Sequence, residues 1–136
     1  MFGHYLMFNR NCAEALELYA NALNGTISEM QKYGDMPPNP AFPVAESDKD
    51  LVLHARLQCE DMEIMAADSP QRGASGSNMY ITVTSTDKAY IEKAWNLLQQ
   101  GGHIYMKLSP SFFAVLHGSL QDRFGTNWMF TVSNET

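Results

Sequence analysis

Cysteine is scarce in this chain. Cys12 and Cys59 are the only two in 136 residues, too few for a disulfide framework or a thiolate zinc site. Basic charge is scarce as well: nine Lys+Arg stand against fifteen Asp+Glu, for a formal net charge of −6. With no basic cluster either, nucleic acid and anionic membrane surfaces are poor partners. No apolar run approaches the ~18 residues that a spanning helix needs. The opening MFGHYLMFNRN has no charged segment leading into an apolar one, so no export signal is expected and a cytoplasmic location is. GxSxG, P-loop, HExxH and CxxC signatures are all missing. What remains is ordinary globular composition, 45% hydrophobic and 18% charged, which argues against disorder and predicts one domain with a sizeable core.

The pattern along the chain predicts two similar halves. His4 to Asn9 reads as a short strand, and Asn11 as the N-cap of a helix, with Glu14 closing a capping-box-like arrangement. Cys12, Leu16, Tyr19 and Leu23 form its apolar stripe, and Gly25 is its expected left-handed stop. Thr26–Tyr33 alternates as a strand. Residues 34–50 hold four of the six prolines and read as a long functional or mobile loop. Leu51–Gln58 and Met62–Ala66 form a predicted hairpin, followed by the small, polar stretch 68–78 as a linker. The order then restarts. Tyr80–Ser85 is a strand, Asp87 caps a helix with the stripe Ile91, Ala94, Trp95 and Leu98, and Gly101-Gly102 ends it. Strands His103–Leu108, Phe112–Leu120 and Asn127–Val132 follow. Asn11/Asp87, Tyr19/Trp95 and Gly25/Gly101 are each 76 residues apart. Cap, core aromatic and stop therefore fall in register, which predicts a duplicated βαβββ unit: module one 1–67, linker 68–78, module two 79–136, in a single domain.

Local phrases carry a family likeness. They are Asn11–Leu16 with Tyr19, Leu53–Leu57, Ile64–Asp68, Gly101–Met106 and Asp122–Met129, in order along the chain. The set resembles the PhnB-like branch of the vicinal oxygen chelate (glyoxalase/bleomycin-resistance) superfamily. The resemblance implies an α+β fold in which two βαβββ modules form a curved mixed-sheet cup with helices outside. Leu53/Ala55/Leu57, Ile81/Val83 and Trp128/Phe130 would then pack beneath the helices. His54, Arg56 and Gln58 would face the cleft, with loop 34–50 at its rim. It also implies a homodimer.

The superfamily's four metal-holding strand positions fall on His4, Met65, Tyr80 and Met129. Only His4 is an ordinary ligand, and a weak candidate alone, because thioethers and neutral phenols suit hard divalent ions poorly. The expectation is therefore a cleft for a small organic molecule, lined by His4, His54, Arg56, Gln58, Met65, Tyr80 and Met129, with no cofactor. Two alternatives stand beside it. One is a divalent-metal-dependent lyase, isomerase or dioxygenase; the other is a drug-sequestering protein of the resistance type. The His54/Arg56/Gln58 stripe has two open readings: cleft donors with Arg56 as a charge anchor, or the solvated face of a half-covered strand. His103 reads as a rim or surface residue, His117 as local packing and Cys12 as a buried structural thiol. The methyltransferase label that some PhnB-like sequences carry has no support in a glycine-rich nucleotide loop here.

Overall fold

A computed structural model describes residues 3–38, 40–41, 43–69 and 79–134. The chain divides into two compact units, 1–73 and 74–136, each built as βαβββ. Unit one runs β1 (His4–Phe8), α1 (Cys12–Leu23), β2 (Thr26–Lys32), β3 (Val52–Cys59) and β4 (Met62–Asp68). Unit two runs β5 (Ile81–Ser85), α2 (Lys88–Leu98), β6 (His103–Ser109), β7 (Leu116–Gln121) and β8 (Asn127–Val132). The sheets have the orders β1-β4-β3-β2 and β5-β8-β7-β6, each with one parallel pair and two antiparallel ones. This is the expected α+β duplication.

Each helix covers one face of its own sheet because its apolar stripe has nowhere else to go. In unit one Cys12, Ala15, Leu16, Tyr19 and Leu23 are buried against Phe8, Ala55, Leu57, Ile64 and Ala66. In unit two Ile91, Ala94, Trp95 and Leu98 meet Ile81, Trp128, Phe130 and Val132. Tyr19 and Trp95 hold equivalent places, the first ring 6.2 Å from Phe8 and the second 5.8 Å edge-on to Phe130. Of the residues expected beneath the helices, Leu53 and Val83 are only half-buried.

Several boundaries move, each for a local reason. Asn11 makes no side-chain cap. The first turn of α1 is held instead by Asp68, whose Oδ1 accepts from Cys12 N at 2.9 Å while Oδ2 accepts from Val52 N at 2.9 Å. Asp68 is therefore the buried end of β4 and not the first residue of a linker. The expected linker from residue 70 to 78 lies outside the described residues. Asn24, at φ 54°, takes the left-handed stop assigned to Gly25. Gly25 is needed for closeness: a Cβ there would lie 2.7 Å from Cys59 Sγ. Tyr33 leaves β2 to open a 3-10 turn, Tyr33–Asp35. The strand expected from Phe112 starts at Leu116, because Ser111 Oγ accepts from Phe113 N and Ala114 N and turns the chain first. Asp87 caps α2 as expected, accepting from Tyr90 N.

The proline-rich loop is tied at its ends. Tyr33 N and Gly34 N donate to Leu51 O and Lys49 O. Arg10, itself at φ 69°, clamps it through Asp48 Oδ1 at 2.6 Å and Ser47 O. No helix among the described residues is long and apolar enough to cross a membrane.

Candidate ligand-binding faces

The face of each sheet turned away from its helix is the open face, and strand register decides which side chains share it. In unit one a row crosses the sheet as Tyr5–Met65–Arg56–Glu29. In unit two the matching row is Thr82–Met129–Ser119–Met106. The match is a displacement of 77 residues for β1/β5 and β2/β6, 64 for β4/β8 and 63 for β3/β7. Met65 and Met129 are thus equivalent residues, each half-buried at the centre of its open face.

The same register pairs His54 with His117 and Gln58 with Gln121. His117, read from the sequence as packing, is the counterpart of the candidate His54. Each imidazole is held through Nδ1: His54 3.2 Å from Tyr5 Oη, and His117 3.0 Å from Thr131 Oγ1. A spacing of 63 residues between two His-x-x-x-Gln strands was the signal that could have found this pair. Tyr5 was also missed. Strand parity puts it beside Met65, whereas His4 pairs with Ile64 on the helix side. The structure therefore brings Tyr5, His54, Arg56 and Met65 together and leaves His4 out of the group. Tyr80 shares the face of Thr82 and Met129, one residue before β5 begins.

Charge separates the two faces. Arg56 Nε lies 3.2 Å from Glu29 Oε2, and its Nη1 lies 3.4 Å from Glu63 Oε1. One cation between two carboxylates leaves the Glu29–Arg56–Glu63 cluster net negative and commits the guanidinium internally. The corresponding residues in unit two are Ser119, Met106 and Asn127, all neutral. There Tyr105 Oη donates to Asn127 Oδ1 at 2.9 Å, and Asn127 Nδ2 donates to Met79 O.

Neither thiol belongs to either face. Burial, reinforced by the Asp68 carboxylate, pushes Cys12 up to about 12, and burial next to Glu60 raises Cys59. A thiol held protonated is no nucleophile. Burial and Asp68 likewise raise Tyr33, whose hydroxyl donates to Asp68 O.

Two four-stranded mixed sheets, each covered by one helix on one side, define the glyoxalase/bleomycin-resistance fold. The fosfomycin resistance protein FosX of Listeria monocytogenes shares it, with a TM-score of 0.63 over 98% of this chain and 93% of that one at 8% identity. That structure holds Mn(II) and 1S,2S-dihydroxypropylphosphonic acid. Residues 2–131 match the model of the 3-demethylubiquinone-9 3-methyltransferase family, the PhnB-like family, and the chain belongs to it. The protein PA1353 of Pseudomonas aeruginosa is 34% identical, with 96% of both chains covered and a TM-score of 0.84. The Bacillus cereus PhnB protein is 25% identical over 96% of this chain and 97% of that one, with a TM-score of 0.79.

The donor set does not fit the metal that the superfamily implies. Two of the matched positions are thioethers, one is a phenol, and the imidazole of His4 sits on the other face of its sheet. Among the described residues, no three His, Cys, Asp or Glu side chains form a group able to hold an ion. The β1–α1 connection is Asn9-Arg10-Asn11, without the glycines of a dinucleotide-binding loop.

Proposed function

We propose that this protein binds a small organic molecule on its open sheet faces without a catalytic metal, acting as a cytoplasmic homodimer. The observation that carries the reading is the equivalence of Met65 and Met129, each flanked by a fixed imidazole and a glutamine amide. Flexible, polarizable thioethers suit adaptable apolar contact, and the neighbouring amide and imidazole groups suit orientation of a few polar atoms. Because Arg56 is already shared by Glu29 and Glu63, the ligand is neutral or cationic; an anion would meet two carboxylates. That acidic cluster is also what favours a second reading, sequestration of a cationic drug. The homodimer draws support from the connection between β6 and β7, where Phe112, Phe113 and Val115 are exposed.

The test pairs elemental analysis with thermal melts. Purified protein should carry well under one equivalent of Zn, Ni, Fe or Mn, and millimolar metal should leave its melting temperature unchanged. Neutral and cationic aromatic compounds should raise it. Stoichiometric metal that is lost on His4→Ala would overturn the reading in favour of a metal-dependent lyase, isomerase or dioxygenase.

A further inference from the structure

One end of the open face in unit two carries three aromatic rings that unit one lacks. Tyr105 stands edge-on to Tyr80 at 6.0 Å and 63°, and edge-on to His103 at 5.3 Å and 76°. Tyr80 lies just before the edge strand β5, and His103 and Tyr105 lie on the opposite edge strand β6. The sheet must curl strongly for rings from its two edges to meet. Tyr105 reaches across because it is the bulged residue of β6, at the register shift between Ile104 and Met106. Its hydroxyl bond to Asn127, which in turn grips Met79 O, fixes the ring's direction.

The sister unit shows that the rings are not required by the fold. By the same displacement of 77, Tyr80, His103 and Tyr105 correspond to Gly3, Thr26 and Ser28. Unit one builds the same strand order, with the same bulge between Ile27 and Glu29, from these small residues. All three places are aromatic in one unit and small in the other, so the rings form a set. Two of them stay accessible and the third is half-buried: Tyr105 is 40% exposed, His103 is exposed and Tyr80 is half-buried.

We infer that Tyr80, His103 and Tyr105 form an aromatic corner for a methylated ammonium group, the cationic end of the ligand proposed above. Steeply inclined rings stand as walls and do not stack in parallel. Their faces carry the negative lobe of the aromatic quadrupole and attract a cation within about 6 Å. The neighbours Gln121 and Asn127, paired with each other across β7 and β8, are neutral amides. A bulky ammonium, weakly hydrated and apolar on its surface, is the cation that loses least on entering such a site.

This inference rests on the proposed organic-ligand function, and the experiment separates the two. Choline and its uncharged isostere 3,3-dimethyl-1-butanol are titrated into the intact protein by calorimetry, with circular dichroism confirming the fold of each variant. Choline should bind at least about tenfold more tightly than the isostere, the preference expected of a partly desolvated cation–π site. Tyr105→Ala and Tyr80→Ala should each lose that preference, and Tyr105→Phe should retain most of it because the ring is kept. If Tyr105→Ala does not fold, Tyr80→Ala and His103→Ala carry the test. Equal binding of the two probes, or undiminished choline binding by the alanine variants, overturns the inference. Should neither probe bind while aromatic compounds still raise the melting temperature, the inference alone falls. Should no organic compound do so, the proposed function falls with it.

Discussion

The two units solve the same packing problem with the same topology and then diverge on the face that topology leaves open. Beneath the helices the correspondence is close: Tyr19 answers Trp95, and Ile64 and Ala66 answer Trp128 and Phe130. On the open faces His54/His117, Gln58/Gln121 and Met65/Met129 are kept, while the Arg56/Glu29/Glu63 ion cluster becomes Ser119, Met106 and Asn127. Small Gly3, Thr26 and Ser28 become Tyr80, His103 and Tyr105. A duplicated scaffold thus presents one acidic face and one aromatic face. The difference lies in side chains that do not hold the sheets together, which is where a function can change without a cost in stability.

The largest expected effect tests the part held in common. Trp95 fills the space between α2 and Phe130, so Trp95→Ala should cost roughly 3–5 kcal/mol, as truncation of a buried aromatic does. A melt like that of the wild type would show that the helix register has been misread.

The helices also differ in how their first turns are held. Asp68 ties α1 to β3 from the far end of β4, buried and bonded to two backbone N–H groups. Asp87 caps α2 locally, in solvent. Asp68→Ala strands two buried donors and should cost about 3 kcal/mol; Asp87→Ala should cost about 1 kcal/mol. Denaturant melts of the two variants check the ratio. Equal costs would mean that Asp68 is not the pin the geometry makes it. Exchange protection in the Asp68 variant should fall first at α1 and the start of β3.

This contrast shows where sequence reading stops. A spacing of 76 residues located Tyr19 and Trp95, because from the first strand to the second the two modules keep nearly one length. The insertion at residues 34–50, against the short turn before β7, then shifts the offset to 63 and 64. The pair His54/His117 was hidden by that shift. The family resemblance points to His4 because a metal-holding position matches it; pairing with Ile64 and Met65 shows that Tyr5, on the other strand face, is the residue beside Met65. Asp68 looked like the start of a polar linker, since nothing local reveals an acceptor whose donors lie 56 and 16 residues away. The helix stripes and the stripe His54/Arg56/Gln58 were legible because each is a local periodicity, and the two modules because cap, core aromatic and stop recur at one spacing.

Burial of a thiol beside a carboxylate makes unit one alkali-sensitive in a way unit two, with no cysteine, is not. A folded-state pKa raised above the unfolded one contributes stability that is fully present below about pH 8.5 and is lost as pH rises through the folded value. For Cys12, held up to about 12, the loss should run at about 1.4 kcal/mol per pH unit across that window. Chemical melts of the wild type and Cys12→Ala from pH 8 to 11 should show a shallower slope in the variant. Cys59, also raised, supplies part of what remains. Identical slopes would remove Cys12 as the cause.

The smallest effect is expected from the change that bears most on function. Replacing Arg56, Glu29 and Glu63 by the counterparts in unit two, as the triple variant Arg56→Ser, Glu29→Met and Glu63→Asn, removes an ion cluster whose side chains are 38–43% exposed. Exposed pairs contribute ~0–1 kcal/mol each, so the melt should move by less than about 1 kcal/mol. Arg56→Ser alone should be worse than the triple variant, because it leaves Glu29 and Glu63 facing each other without the cation between them. What should change is selectivity. With the Arg56/Glu29/Glu63 cluster made neutral, any preference of that face for cationic over neutral aromatic compounds should disappear, while the response to choline at the aromatic corner stays as it was. A triple variant that also loses its choline response would show that the two faces do not act as separate chemistries, and the contrast between an acidic and an aromatic face would then have to be given up.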